Sequence, residues 1–467
     1  MSLRKTKIIA TLGPATERTE VIGALIGAGA NVFRLNMSHA AHPWVRDVVS
    51  RVREEAASRG ASVATLLDLQ GPSIRTGDLA EKWSLPVGAA VEFRQESLAP
   101  AAEFSVTTNY DGLHEDISVG DVMLVDNGVI HFRVDRIELG RVFCQTLTEG
   151  LLGSRRHINL PGIRVNLPSL TEKDFHDIDL AAELALDYVA ISFVRDAAHV
   201  AQLRAELTKR GCQARIVAKI EDQEAVKHIT EIIRESDAVM VARGDLGIEV
   251  HVEELPVVQR QILREAARIG RKVIVATHML ESMIENPGPT RAEVTDVANA
   301  VFEQADAAML SGETSVGHYP VKCIEVLDRI ARRMEREPGA RFASALDLGS
   351  ERQATLGAAV QLAESNEDSH LMVFTKRGGI ANDLAMFRPE HSSIFAFCPD
   401  HQVLRSLSLN RAVTALPLEF SGAPEDIIRE AIGMLQERGF VKKGDRLVVL
   451  SEVLHTFDAE AILVRRV

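Results

Sequence analysis

The chain is poor in cysteine, with four in 467 residues. Cys144, Cys212, Cys323 and Cys398 are widely scattered, and no spacing among them fits a zinc site, a redox pair or a disulfide framework. They are expected to be reduced thiols. Long apolar runs are missing as well. The N-terminus, MSLRKTKIIATLG, starts basic but holds a four-residue apolar run before Gly13, too short for a signal peptide, and no later run could span a membrane. There is no excess of basic residues. A net charge of −13 argues against nucleic acid as a partner. It does not exclude an anionic substrate, for which one local cluster of cations or a metal suffices. No low-complexity segment appears, and no short repeat beyond a strand-helix unit. These absences point to a globular cytoplasmic protein. With 46% apolar residues, the chain can build large cores, and its length allows about two to four domains.

What is present is a recurring alternation. Short β-rich apolar runs occur at 7–13 (KIIATLG), 31–39 (NVFRLNMSH), 63–71 (VATLLDLQG), 188–194 (YVAISFV), 215–221 (RIVAKIE), 238–247 (AVMVARGDLG), 272–280 (KVIVATHML) and 307–313 (AAMLSGE). Stretches of helical periodicity separate them, such as HVAQLRAELTKRG. Alternation of this kind implies parallel strand-helix-strand units. Eight strands with near-continuous apolar centres predict a closed (β/α)8 barrel, spanning 1–71 and 165–339. The spacing breaks once, between the third and fourth runs. From 72 to 164 the pattern turns to short alternating strands with tight turns, and Asn127-Gly128 is a hairpin signal. An inserted all-β domain of β-barrel type is expected there. The barrel resumes at LPSLTEKD, where Thr171 and Asp174 resemble a capping pair; Thr290 and Glu293 do the same after the seventh strand. Residues 340–467 read as a smaller α/β domain with strands near LMVF, SIFAFC, AVTALPL, RLVVLS and AILVRRV.

Barrel enzymes build their sites where the strands end. Those ends carry Arg34, Asn36, Ser38, Asp68, Lys219, Glu221, Arg243, Asp245, Thr277, Ser311 and Glu313. Each has an ordinary reading. Arg34 could pair with a barrel carboxylate, Lys219 and Glu221 could be a structural ion pair, and Asp245 could cap a helix. Together they predict polar groups converging on one mouth, where unpaired desolvated charge is costly without a ligand. Strand side chains alternate faces, so Lys219 and Glu221 point the same way. Glu221 and Asp245, on consecutive strands, form a natural hard-cation site, and magnesium keeps positions open for substrate oxygens. Lys219 and Arg34 add positive charge for a phosphoryl group. Gly244 lets a ligand approach the backbone. The expected ligand is a small anion with a carboxylate and a phosphate, held by a metal. Arg75, in DLQGPSIRTG at the crossing into the inserted domain, could reach phosphates at the domain interface.

The stretches ATLGPAT, RLNMSH, DLQGPSIRTG, LTEKD, AKIEDQEAV, MVARGDLGIE, ESMIENPGPTRAEVTDVANAV and MLSGETSVGHYP closely resemble the motifs of pyruvate kinases, in their order. The resemblance is highly specific through residue 335 and weaker in the inserted and C-terminal domains. It implies a barrel with an inserted lid, and magnesium-dependent transfer of a phosphoryl group from phosphoenolpyruvate to ADP, giving pyruvate and ATP. Manganese is implied as a substitute metal and potassium as a second ion. It also implies a homotetramer. Carried over position by position, Lys219 would stabilise the phosphoryl group in transit, with Arg34 in contact. Glu221 and Asp245 would hold the metal, and Gly244 the substrate carboxylate. Thr277 would touch substrate and, with Ser311, belong to the group that protonates the enolate. Asn36, Ser38, Asp68 and the Leu69 carbonyl would form the monovalent-cation site. Asn36, His39, Arg75 and Lys173 would serve the nucleotide. Thr375, Lys376, Arg377 and Gly378, in VFTKRGGIA, would form an effector loop.

There are departures from the family pattern. Leu69 and Gln70 stand where many members have Thr and Lys, and Ser73 where many have Glu. His278 replaces a usual Gln, and Gly379 and Ile380 replace groups that often hold a sugar phosphate. Two other readings remain at this point. A metal-dependent aldolase or lyase of pyruvate-like substrates would use the same Glu/Asp site without needing the inserted domain, Arg75 or Lys173. A catalytically dead sensor would use the C-terminal loop, against which the intact Lys219, Glu221, Asp245 and Thr277 argue.

Overall fold

A computed structural model describes residues 3–452 and 461–467. Each of the eight expected runs forms a strand: β1 Lys7–Thr11, β2 Val32–Asn36, β3 Ala64–Asp68, β4 Tyr188–Ile191, β5 Arg215–Ile220, β6 Ala238–Ala242, β7 Lys272–Ala276 and β8 Ala307–Leu310. They pair in parallel and close, in the order β1-β8-β7-β6-β5-β4-β3-β2. Small residues make the closure possible. Ala64, Ala190, Ala238, Ala276 and Ala307 share the lumen with Ile9, Val32, Leu66, Tyr188, Val217, Met240, Ile274 and Met309, a packed interior rather than a pore. Leu409, from the C-terminal domain, belongs to the same cluster. The outward faces pack on helices whose apolar residues recur at helical spacing. Leu255–Ile269 buries Ile262, Leu263, Ala266 and Ala267 and stops at Gly270, whose φ of 79° suits a glycine.

Between β3 and β4 the chain leaves the barrel. Gly71 makes the exit possible: its φ is +69°, and a Cβ there would stand 2.8 Å from the Ser192 Cβ. The excursion forms a six-stranded sheet, in the spatial order Ile158–Asn159, Val122–Val125, Ile130–Glu138, Arg141–Thr146, Ala90–Arg94 and Phe104–Thr107, and a two-stranded ribbon of Trp83–Leu85 with Gly150–Leu152. The expected β-barrel is therefore two sheets around one core that includes Phe93, Phe132 and Met123, since the ladder does not close on itself among the described residues. The predicted hairpin is present, and Asp126, Asn127 and Gly128 all take positive φ, which these residue types tolerate. The return is fixed by the Thr171–Asp174 capping box, and Asp174 also accepts the Gly71 N–H at 3.1 Å, tying exit to re-entry. The Thr290–Glu293 capping box is present as well.

The C-terminal sheet contains β9 Ser369–Phe374, β10 Ile394–Cys398, β11 Val413–Pro417, β12 Arg446–Ser451 and β13 Leu463–Arg466, ordered β11-β10-β9-β12-β13. All neighbours run parallel except β12 and β13. No helix among the described residues is long and apolar enough to cross a membrane.

Candidate active site

The C-terminal ends of β2, β3, β4 and β5 bring charge together below a cleft of about 370 Å³ that is roofed by the inserted unit. Lys219 and Glu221 do share a face. The Lys219 Nζ stands 2.8 Å from Glu221 Oε1, 3.3 Å from Asp68 Oδ1, and donates to the Ser192 hydroxyl at 2.8 Å. Asp68 Oδ2 in turn takes Arg34 at 2.6 Å, and Arg34 also donates to the Thr11 hydroxyl. A chain of alternating charge therefore runs Arg34–Asp68–Lys219–Glu221. Burial alone would lower the Lys219 ammonium, but Asp68 and Glu221 overcome it and hold the group above its ordinary value. Burial would raise Asp68, and Lys219 with Arg34 reverses that. Glu221 differs. Burial pushes it up to about 7, against the pull of Lys219 and with the help of the Asp245 charge.

Glu221 and Asp245 thus face each other with Lys219 as the one ion-pair partner among the described residues, bound to Glu221. The Glu221 carboxylate is buried and accepts the Phe193 N–H at 2.6 Å, while Asp245 lines the cleft without a hydrogen bond or ion pair among the described residues. No cluster of three His, Cys, Asp or Glu side chains that could hold a metal occurs among the described residues. Two carboxylates with open positions left for water and substrate oxygens suit magnesium rather than zinc.

Arg34, Asn36, Ser38, Leu69, Lys219, Glu221 and Asp245 line the cleft, and His39 and Arg75 line it as well. Asn36 accepts the Ser38 N–H, and the Leu69 carbonyl accepts the Ser192 hydroxyl at 2.7 Å. Lys173 is elsewhere. It pairs with Asp177 at 2.6 Å, beside His42, and is not part of the cleft lining.

Convergence was expected of two more groups, and the structure corrects it. Arg243 begins a helix, Arg243–Glu249, directly after β6, and its buried guanidinium turns to Asp296 at 2.6 Å and to the carbonyls of Ala276 and Thr277. Glu313 is buried and accepts the N–H groups of Leu280 and Ser311. Both hold the turn after β7. That turn is strained: Thr277 and His278 have φ of 67° and 53°, unusual for a β-branched residue. The Thr277 hydroxyl accepts the Gly244 N–H at 2.8 Å and donates to the Ala276 carbonyl. Gly244 therefore already spends its N–H on Thr277. The Ser311 hydroxyl is buried without a partner among the described residues. His278 is exposed, 3.3 Å from Glu281.

Sequence reasoning missed Ser192 and, from the inserted unit, Asp126, Asn127, Arg155, Arg156 and His157, which also line the cleft. The signal for Ser192 was its place at the end of YVAISFV. The basic pair in GSRRHINLPG had none beyond its charge.

In the C-terminal domain, Thr375 is buried and Lys376 and Arg377 are exposed. The Thr375 hydroxyl donates to Glu452 at 2.6 Å and accepts the Gly378 N–H at 2.9 Å. Glu452 also takes Arg352 at 2.5 Å. Ile380 is buried.

Two family models match, the pyruvate kinase barrel domain over residues 3–324 and the pyruvate kinase alpha/beta domain over 353–458. The chain is 38% identical over 460 residues to plastidial pyruvate kinase 2 of Arabidopsis thaliana, covering 96% of this chain and 78% of that protein. It is 35% identical over 460 residues to the pyruvate kinase of Clostridium acetobutylicum, covering 97% and 96%. The crystal structure of a pyruvate kinase from Cryptosporidium parvum superposes with a TM-score of 0.94 at 31% identity, covering 99% of this chain and 96% of that one.

Proposed function

This chain belongs to the pyruvate kinase family, and on that premise we propose which of its residues transfer the phosphoryl group from phosphoenolpyruvate to ADP, the last step of glycolysis. The observation that supports the assignment best is the chain Arg34–Asp68–Lys219–Glu221 at the barrel mouth. Phosphoryl transfer asks for positioning and charge neutralisation more than covalent help. Lys219 meets the phosphoryl oxygens as the bond to the enol oxygen breaks and a bond to the ADP terminal oxygen forms. Asp68 and Glu221 keep it protonated and aimed. Arg34 binds the same group from the other side of Asp68. Glu221 and Asp245 hold magnesium, which supplies charge to the phosphate and carboxylate oxygens when bound.

The enolate left behind takes a proton at carbon to become pyruvate. Thr277 and the unpartnered Ser311 hydroxyl belong to the group that delivers it. Gly244 holds the substrate carboxylate, and its N–H must exchange Thr277 for that ligand. Asn36, His39, Arg75 and Lys173 receive the nucleotide, for which Lys173 must leave Asp177. Asn36, Ser38, Asp68 and the Leu69 carbonyl hold a monovalent cation. The inserted unit closes over the mouth and excludes water from the transferring group. Asn159 of that unit donates to Glu249 of the barrel at 3.1 Å, a contact that supports this closure.

The test is a coupled assay for pyruvate from phosphoenolpyruvate and ADP with magnesium. Turnover is expected; release of pyruvate without ADP would favour a lyase, and no reaction a sensor. A cytoplasmic homotetramer completes the proposal. Sedimentation of the purified chain checks the assembly, and a monomer at micromolar concentration would contradict it.

A further inference from the structure

Just behind the wall of the cleft, two helices share one buried carboxylate. Asp177 belongs to the helix Glu172–Glu183, and its side chain is wholly shielded from water. Its Oδ2 takes the Lys173 ammonium at 2.6 Å, from one turn earlier in the same helix. Its Oδ1 takes His42 Nε2 at 2.7 Å, from the first residue of the helix His42–Ser58. No other donor reaches this carboxylate among the described residues. An ionised carboxylate only accepts, so His42 donates its Nε2–H, and Nδ1 of the neutral ring is left as an acceptor. Nδ1 has no partner among the described residues, and the His42 side chain is 31% exposed, so solvent can protonate it.

The other charges around this pair are already closed. Arg46, one turn after His42, holds both oxygens of Glu183 at 2.7 Å. Asp174 accepts the N–H groups of Thr171 and Gly71. The pair also adjoins the cleft. His39, three residues before His42, lines it, and the Gly71 held by Asp174 lies between the lining residues Gln70 and Ser73. The Lys173 side chain is 43% exposed, with Asp177 its one partner among the described residues. What opposes its departure is the carboxylate left behind. Taking one partner from a buried ion pair leaves an uncompensated charge, which is strongly destabilising.

We propose that His42 is a positioning residue for the nucleotide: as Lys173 turns from Asp177 to an ADP phosphate, His42 takes up a proton at Nδ1 and keeps the buried carboxylate paired. This rests on the reading that Lys173 receives the nucleotide. The proton comes from solvent, one N–H bond forms, and the Nε2–H stays on Asp177. Histidine suits the task because its charge changes near neutral pH. A neutral amide in its place would supply the hydrogen bond without the charge. Proton and nucleotide then favour each other: binding takes up a proton, and affinity for ADP gains as the pH falls.

Two measurements on the full chain test this. The first needs no nucleotide. The His42 signal in nuclear magnetic resonance of isotope-labelled histidine, assigned by its loss in His42→Gln, is followed against pH in wild type and Lys173→Met. Without Lys173, Asp177 is left to His42 alone, and His42 should hold its proton about tenfold more tightly or better. Titration at the same pH in both proteins overturns the proposal. The second is calorimetric titration with ADP and magnesium near neutral pH, in two buffers of different ionisation enthalpy, which counts protons. The wild type should take up about half a proton or more per ADP beyond His42→Gln, and Lys173→Met should lose that excess. Equal counts in wild type and His42→Gln overturn the proposal, since a merely structural histidine would not move them. Lys173→Met binding ADP as tightly as the wild type would overturn the reading of Lys173 instead, while the His42 titration still decides whether His42 backs Asp177.

Discussion

The mouth of the barrel and the loop Thr375–Gly378 both stand where a parallel strand ends, and both hold the residue types that bind phosphate. They treat their charge in opposite ways. At the mouth, Arg34, Asp68, Lys219 and Glu221 alternate in charge along a row, yet the row leaves Glu221 raised to about 7 and Asp245 without a partner among the described residues. Charge is left over that a metal and an anion would meet. At the loop, a carboxylate of the chain itself has taken the anion's place. Glu452 receives the Thr375 hydroxyl at 2.6 Å and Arg352 at 2.5 Å, and the Gly378 N–H is spent on Thr375. The same vocabulary of Thr, Lys, Arg and Gly therefore describes an open site in one place and a filled one in the other. What separates them is whether a carboxylate of the chain already occupies the hydroxyl at the strand end.

The contrast can be broken from its open side first. Lys219→Met removes the ammonium that we propose meets the transferring group. Loss of one preorganised charge commonly lowers turnover by about two to three orders of magnitude, and steady-state turnover at saturating substrates measures it. Glu221→Gln and Asp245→Asn should each weaken magnesium at least about tenfold, the loss that even outer-shell changes produce. Magnesium titrations of activity report this, and unchanged midpoints in both variants would place the metal elsewhere.

Potassium tests a subtler part of the mouth. Asp68 is already shared by Arg34 and Lys219, and the Ser73 hydroxyl, at a position where the family resemblance leads us to expect Glu, accepts Arg75 at 3.1 Å. Without a carboxylate at residue 73 the demand for an extra cation falls. Activation by potassium in tetramethylammonium buffer is expected to stay below about tenfold, less than roughly 1.4 kcal/mol of barrier. A hundredfold stimulation would contradict it. The filled loop should give the smallest effect. Fructose 1,6-bisphosphate at micromolar concentration is expected to leave turnover unchanged within about twofold, since Ile380 is buried, Gly379 offers no cation and Glu452 repels a phosphate. Strong activation in the coupled assay would show that the carboxylate yields.

The comparison also marks what could be seen in the sequence. Eight apolar runs at strand-helix spacing are enough to expect the closed barrel, because parallel strands buried on both faces need continuous apolar centres. Alternation along β5 was enough to pair Lys219 with Glu221. The reasoning failed where backbone direction changes at once. Arg243 follows β6 in the sequence but starts a helix without a connecting loop, so its side chain swings to Asp296 and the turn after β7. Glu313 is likewise spent on backbone N–H groups. The roof residues Arg155, Arg156 and His157 carry no periodicity, and their place depends on how the inserted unit folds back. Glu452 lies far along the chain from Thr375, and no local pattern joins them.

The central claim is that Lys219 acts on the phosphoryl group in transit rather than on the bound substrate. A split of binding from rate tests this most directly: calorimetric affinity for phosphoenolpyruvate with magnesium, and kcat in the coupled assay, on wild type and Lys219→Met from parallel preparations. The account predicts kcat lower by about two to three orders of magnitude, with affinity changed less than about tenfold. Turnover close to the wild type, or a loss of affinity as large as the loss of rate, would contradict it.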